Sequence, residues 1–128
     1  MRTLALDYGL ARVGCAISDP TGTLVRPIET TPPDTGAIAA IVSEHEVDRI
    51  VVGLPVSLDG TEGPQAAAAR GFAADLADRL DVPVETYDER LTTKMAAATR
   101  RGGSKASEDS LAAAHMLEGW LLAREARR

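Results

Sequence analysis

The chain reads as an α/β fold on one mixed sheet, and three observations predict it. Short strand-like runs cluster in the first 25 residues, a continuous β-branched run at 48–54 stands between two segments of helical period, and the chain closes on a long helical pattern. Three meandering strands followed by helix, strand, helix and strand imply two right-handed crossovers onto that sheet, then a helical C-terminus. With 128 residues and 45% hydrophobic content, residues 1–128 fit one globular domain with its own core and leave no room for a second.

The elements follow in order. Leu4 to Asp7, Arg12 to Ser18 and Thr23 to Val25 are three short strands, the last two joined across the hairpin-like turn Asp19-Pro20-Thr21-Gly22. After Pro32-Pro33, Asp34 or Thr35 can cap a helix that places Ile38, Ile41 and Val42 on one face and ends near His45. Asp48 to Leu54 is apolar without alternation, the pattern of a strand covered on both faces. A loop from Pro55 to Gly63 turns at Asp59-Gly60. Pro64 suits the first position of a helix whose Ala69, Phe72, Ala73, Leu76 and Leu80 recur at helical spacing. Val82 to Tyr87 is the fifth strand. No repeat, low-complexity tract or linker interrupts the order.

Composition excludes several classes. No apolar run approaches the roughly 20 residues of a membrane span, and no basic segment leads into an apolar stretch of signal-peptide length, so a cytoplasmic protein is expected. The single cysteine, Cys15, lies in an apolar strand and reads as a buried thiol. The net charge of −5 argues against a general nucleic-acid coat. The charge is uneven: residues 90–107 carry Arg90, Lys94, Arg100, Arg101 and Lys105 and no acid, leaving −10 for the remainder. Such a run is a solvated face or a phosphate-binding one, and acids flank it on both sides.

The first of the informative acids is Asp7, a carboxylate at the C-terminal end of a buried strand, followed at once by the glycine-punctuated DYGLARVGCAISD. The second heads the last helix. From a Ser107 cap, Asp109, Ala112, Ala113, Met116 and Trp120 fall on one stripe at 100° per residue, so Asp109 lies on the face that packs on the sheet. A buried carboxylate needs compensation, by the free amides and dipole of the helix N-terminus or by a metal ion. The third acid comes from Tyr87-Asp88-Glu89, at the carboxyl edge of the sheet, where open α/β folds bind ligands. Asp88 and Glu89 point to opposite faces of an alternating strand, so one of them is expected at the site, and Glu89 has the longer reach.

If the first and last strands are parallel, Asp7, the acid after strand five and Asp109 share one rim. Hard divalent cations such as Mg2+ bind oxygen ligands and need few carboxylates. Like charges gathered there call for such an ion, and metal ions of this kind support phosphodiester hydrolysis. His45 and His115 lack metal-ligand spacing and read as structural. Glu118 and Glu125 point away. Asp59 is read as a turn former and Thr92 as a helix cap.

In order and spacing, LALDYGLARVGCAISDP, DRIVVGLPVSLDGTEGP, VETYDERLTT and EDSLAAAHMLEGWL resemble the YqgF/RuvX family over nearly the whole chain. These are Holliday-junction resolvase-like proteins, also proposed as nucleases of the small-subunit ribosomal RNA precursor. The resemblance implies an RNase H-like fold with a five-stranded mixed sheet of order 3-2-1-4-5 flanked by helices. It implies a catalytic and metal-binding triad of Asp7, Glu89 and Asp109 using Mg2+ or Mn2+, and cleavage of structured RNA such as pre-16S rRNA or of branched DNA. Arg12, Arg90, Lys94, Arg100, Arg101 and Lys105 become candidate backbone contacts, with Gly9 and Gly14 allowing a tight turn and close approach. Two departures weaken the expectation of tight duplex or junction binding: Ala11 stands where the family commonly has lysine, and the basic segment before Asp109 is short. Cutting two strands symmetrically would call for a homodimer, for which no hydrophobic stripe supplies an interface.

Two other classes compete. A strand followed by D-x-G-x-x-x-x-G also resembles the phosphate loop of the actin/Hsp70/sugar-kinase superfamily, although those proteins pair two such domains. A catalytically silent nucleic-acid-binding or assembly factor could keep the fold without its chemistry.

Overall fold

The two faces of β1 (Thr3–Asp7) set the architecture, because side chains alternate along a strand. Leu4 and Leu6 enter a core with β2 (Val13–Ser18), β4 (Arg49–Leu54), α1 (Thr35–His45) and α2 (Pro64–Arg79). Ala5 enters a second core against α3 (Glu108–Ala126). The computed structural model describes residues 1–57, 59–89 and 108–126. With β3 (Val25–Thr31) and β5 (Val84–Asp88), the strands form one sheet of order β3-β2-β1-β4-β5. β1, β2 and β3 are antiparallel, while β4 runs parallel to β1 and β5 parallel to β4. The mixed sheet and its order are those expected.

The continuous apolar run of β4 is buried along its whole length, as a central strand between two helix layers should be. Asp34 caps α1 by accepting from the Gly36 amide at 3.3 Å, and Pro64 opens α2. Phe72, Ala73 and Leu76 of α2 share this core with Ile38 of α1, and α2 lies over β4 and β5; burying each large apolar side chain contributes about 1.5–3 kcal/mol. No helix among the described residues is long and apolar enough to cross a membrane.

The larger departures from expectation are the bounds of β3 and β5 and the buried face of α3. β3 begins at Val25 rather than ending there, because the Asp19 carboxylate accepts from the Thr23 and Leu24 amides and the Thr21 hydroxyl, committing residues 19–24 to the turn. Pro27 is tolerated in β3 because β3 is an edge strand. β5 begins at Val84, after Pro83. On α3, Ala112 is exposed, and the buried face runs instead through Ser110, Ala113, Ala114, Met116, Leu117 and Trp120. Cys15 is fully buried as a free thiol, and burial pushes its pKa up to about 11.

Candidate active site

Asp7 ends β1 on the face that carries Ala5, toward α3, whereas the next residue, Tyr8, turns to the other face and packs on Phe72 with ring centroids 4.8 Å apart. In the row that crosses the sheet at this level, Asp7 pairs with Gly14 of β2, and Gly53 of β4 pairs with Tyr87 of β5. Both glycines let α3 approach the sheet, and each has an acid close by. A Cβ on Gly14 would overlap the Asp109 carbonyl, so the first turn of α3 can sit against β2 only because that side chain is missing. A Cβ on Gly53 would first meet the Met116 sulfur of α3 at 2.5 Å, and would lie 3.1 Å from both Cγ and Oε2 of Glu89, which folds back over β4.

Ser110 fixes the helix start. The β2–β3 pairing shifts between Val13 and Cys15, and the buried Ser110 hydroxyl bridges the irregularity. It accepts from the Cys15 amide at 3.2 Å and donates to the Ile28 carbonyl at 2.6 Å. Satisfying two buried backbone groups at once makes Ser110 a strong anchor for its neighbour Asp109. Sequence reasoning missed it, since a serine in a first helical turn has nothing to mark it as a bridge.

The electrostatics couple the acids. Burial, and after it the charge of Asp109, raises the Asp7 pKa to about 6. Burial, then Asp7, then Asp88, raises Glu89 to about 7. No described side chain donates a hydrogen bond to the carboxylate of Asp7 or Glu89. Asp109 is different: its Oδ2 pairs with Nε of Arg12 at 2.6 Å, on the turn between β1 and β2. Both partners are substantially exposed, so the pair contributes little stability. Among the described residues, no three His, Cys, Asp or Glu side chains are gathered closely enough to hold a metal ion. Asp7 and Glu89 nonetheless suit a hard cation in donor chemistry, being half-buried oxygens of like charge without a compensating side-chain donor among the described residues.

The structure thus brings Asp7, Glu89, Asp109 and Arg12 to one rim. Asp88 and Glu89 follow the alternation of β5: Tyr87 packs in the α3-side core, which places Glu89 on that face and Asp88 on the other. Asp59 accepts from the Thr61 amide and hydroxyl as a turn former, and Glu62 is paired with Arg70. Arg90, Lys94, Arg100, Arg101 and Lys105 lie outside the described residues, as do Thr92, Thr93 and the Ser107 cap.

Comparison with known proteins shows the family and the fold. The model of the RuvX family, described as Holliday junction resolvase, matches residues 1–123. A Thermobifida fusca protein named "Putative pre-16S rRNA nuclease" is 51% identical over 81% of this chain and 70% of its own length. A Myxococcus xanthus protein of the same name is 42% identical over 94% of this chain and 87% of its own. Among solved structures, Thermus thermophilus RuvC superposes with a TM-score of 0.66 at 17% identity, covering 98% of this chain and 97% of that one, which shows a shared fold.

Proposed function

The chain belongs to the RuvX family, and from that premise and the acids at its carboxyl rim we propose that it is a metal-dependent endonuclease of structured nucleic acid. The substrate is the 5′ end of pre-16S rRNA, or branched DNA of the Holliday-junction kind, met in the cytoplasm. The observation that carries the reading is Asp7: a half-buried acid flanked in its row by two glycines, with Glu89 and Asp109 admitted through the space they leave.

Asp7 and Glu89, joined by Asp109, would hold Mg2+ or Mn2+, which when bound supplies an activated water and neutralises the phosphate. The protein's own part is positional. Strand β1 fixes Asp7, the bridge through Ser110 fixes the backbone of Asp109, and Gly53 keeps the approach of Glu89 open. Arg12, exposed at the rim, binds a phosphate oxygen of the substrate when Asp109 gives it up.

Purified protein should cut structured RNA or a four-way DNA junction with Mg2+ or Mn2+. Asp7→Asn should lower the rate at least about 100-fold while the fold survives. Equal cutting by both proteins would sink the proposal. A catalytically silent nucleic-acid-binding role is the second reading, and the observation in its favour is the Arg12–Asp109 pair, which occupies the third acid. Nucleic-acid binding without cutting under any divalent cation would select it.

A further inference from the structure

At the opposite end of the α3-side core, β1 and β4 begin and α3 ends. A pocket of about 540 Å³ opens there, lined by Thr3, Arg49, Trp120, Leu121, Arg124 and Glu125, together with Met1 and the turn at Thr21 and Gly22. Arg49 is only 9% exposed, yet it forms no salt bridge to a carboxylate among the described residues. Its one side-chain hydrogen bond among them reaches the Met1 sulfur, a weak acceptor, so the other guanidinium N–H groups are left to the pocket. The guanidinium lies 5.1 Å from the centroid of the Trp120 ring, and that of Arg124 lies 5.5 Å from it.

Two cations share one indole and one cavity. Burial, then the neighbouring Arg124, lowers the Arg49 pKa, while the charges of Glu85 and Asp48 oppose that shift. Those acids are turned to other donors: Glu85 accepts from the Trp120 indole N–H at 2.6 Å, and Asp48 accepts from the Arg2 amide at 2.7 Å. Glu125 stands on the pocket rim in the last, exposed turn of α3. With the ring engaged by guanidiniums and 3% exposed, base stacking is not the use of this site.

We propose that the Arg49–Arg124 pocket is an oxyanion site that takes a phosphate group, supplied by the nucleic-acid backbone at a distance from the cleavage point. Paired guanidiniums offer the forked donors that phosphate oxygens match, and Trp120 holds both forks in place. Fifteen residues of α3 separate Asp109 from Arg124, so the two sites lie roughly 20 Å apart along the helix. A substrate spanning both must be longer than a dinucleotide. The source of the phosphate rests on the nuclease reading; the pocket's affinity for oxyanions does not.

Trp120 is the only tryptophan in the chain, so its emission reports this pocket directly. The full-length protein is titrated with an RNA hairpin, and separately with inorganic phosphate, with chloride at matched ionic strength as the blank. A saturable change in emission with the hairpin is expected in metal-free buffer, where no cleavage competes with binding. Arg124→Glu should weaken it at least tenfold while the melting temperature moves little, and Arg49→Lys, which keeps charge but loses the fork, should weaken it as well. A response to phosphate but not to the hairpin keeps the oxyanion pocket and assigns it free phosphate. No saturable response to either probe, or one that both arginine variants leave unchanged, overturns the proposal. A responding pocket in a protein that cuts nothing would defeat the nuclease reading alone.

Discussion

The two faces of the sheet are packed by different rules. Toward α1 and α2 the sheet presents Leu4, Leu6, Ile17, Ile50, Val52 and Leu54, large side chains that hold the helices at arm's length. Toward α3 it presents Ala5, Ala16, Gly14 and Gly53, with Val51 as the bulkiest apolar member of the central strands. The first face stabilises by area. The second brings a helix backbone against β2, and that close approach decides where Asp109 stands relative to Asp7. Stability and site geometry are therefore carried by different residues, and they can be broken separately.

The sharpest break is Gly14→Ala. One methyl group overlaps backbone of Asp109 that Ser110 has already pinned, so neither side can yield cheaply. We expect a loss of about 3 kcal/mol or more, with cleavage lost in whatever remains folded. Chemical denaturation and a cleavage assay on the folded fraction check it; a mild loss with full activity would show that α3 can stand off from β2. The contrasting variant is Leu76→Ala on the other face. It should cost a comparable 2–5 kcal/mol through its cavity and leave the activity per folded molecule unchanged. A proportionate loss of activity would mean that the α2 face also sets the site.

The α3 face also carries an acid burden that the other lacks. Asp7 and Glu89 have folded-state pKa values of about 6 and about 7, above the ordinary carboxylate range. The folded protein therefore holds more protons than the unfolded chain between about pH 4 and 7. The contribution of this pair to stability is fully present below pH 4, falls as pH rises through that window, and levels off above it. About 2 kcal/mol is the expected loss for the metal-free protein, since the two titrations are coupled and do not add. Asp7→Asn should flatten the curve. Mn2+ affinity should run the other way, rising with pH as the carboxylates ionise. Stability that increases from pH 5 to 8 without metal would contradict the burial of this pair.

Asp109→Asn is a finer probe of the same rim. Its charge is the second cause of the raised Asp7 pKa, after burial, so neutralising it should bring the Asp7 titration down only part of the way. Carbon-detected NMR of the Asp7 carboxyl measures this. No movement would place the two acids farther apart than the structure does. The loss of the exposed pair with Arg12 works against the relief of repulsion, so the melting temperature should change by little.

Much of this was legible in the residues. The unbroken apolar run of β4, the Pro64 start of α2 and the Asp34 cap follow from local physics, so periodicity and capping found them. Asp7 and Asp109 were marked by position, one ending a strand and the other heading a helix. What stayed hidden depends on contacts between distant segments. The boundary of β3 was set by three hydrogen bonds to Asp19 that make a turn of residues otherwise fit for a strand. The Ser110 bridge needs a shifted register between β2 and β3, which no single-segment pattern encodes. Ala112 was placed on the buried stripe because an ideal 100° step was anchored on Asp109; the helix turns its Ser110, Ala113 and Leu117 side to the sheet instead.

The smallest expected effect tests whether the faces are independent at all. Gly71 lies within α2, on its exposed side, and a Cβ added there would meet nothing within 4 Å. Its backbone is helical without a positive φ, so alanine adopts the same conformation unstrained and the unfolded chain loses freedom. Gly71→Ala should therefore stabilise the protein by about 0.5–1 kcal/mol, the usual difference between the two residues inside a helix. Cutting and Mn2+ binding should not change, because the substitution stiffens a helix that packs only on the large-residue face. A measured gain in stability accompanied by altered Mn2+ affinity would show α2 transmitting to the acids through β4, and would dissolve the division between a face that holds the fold and a face that builds the site.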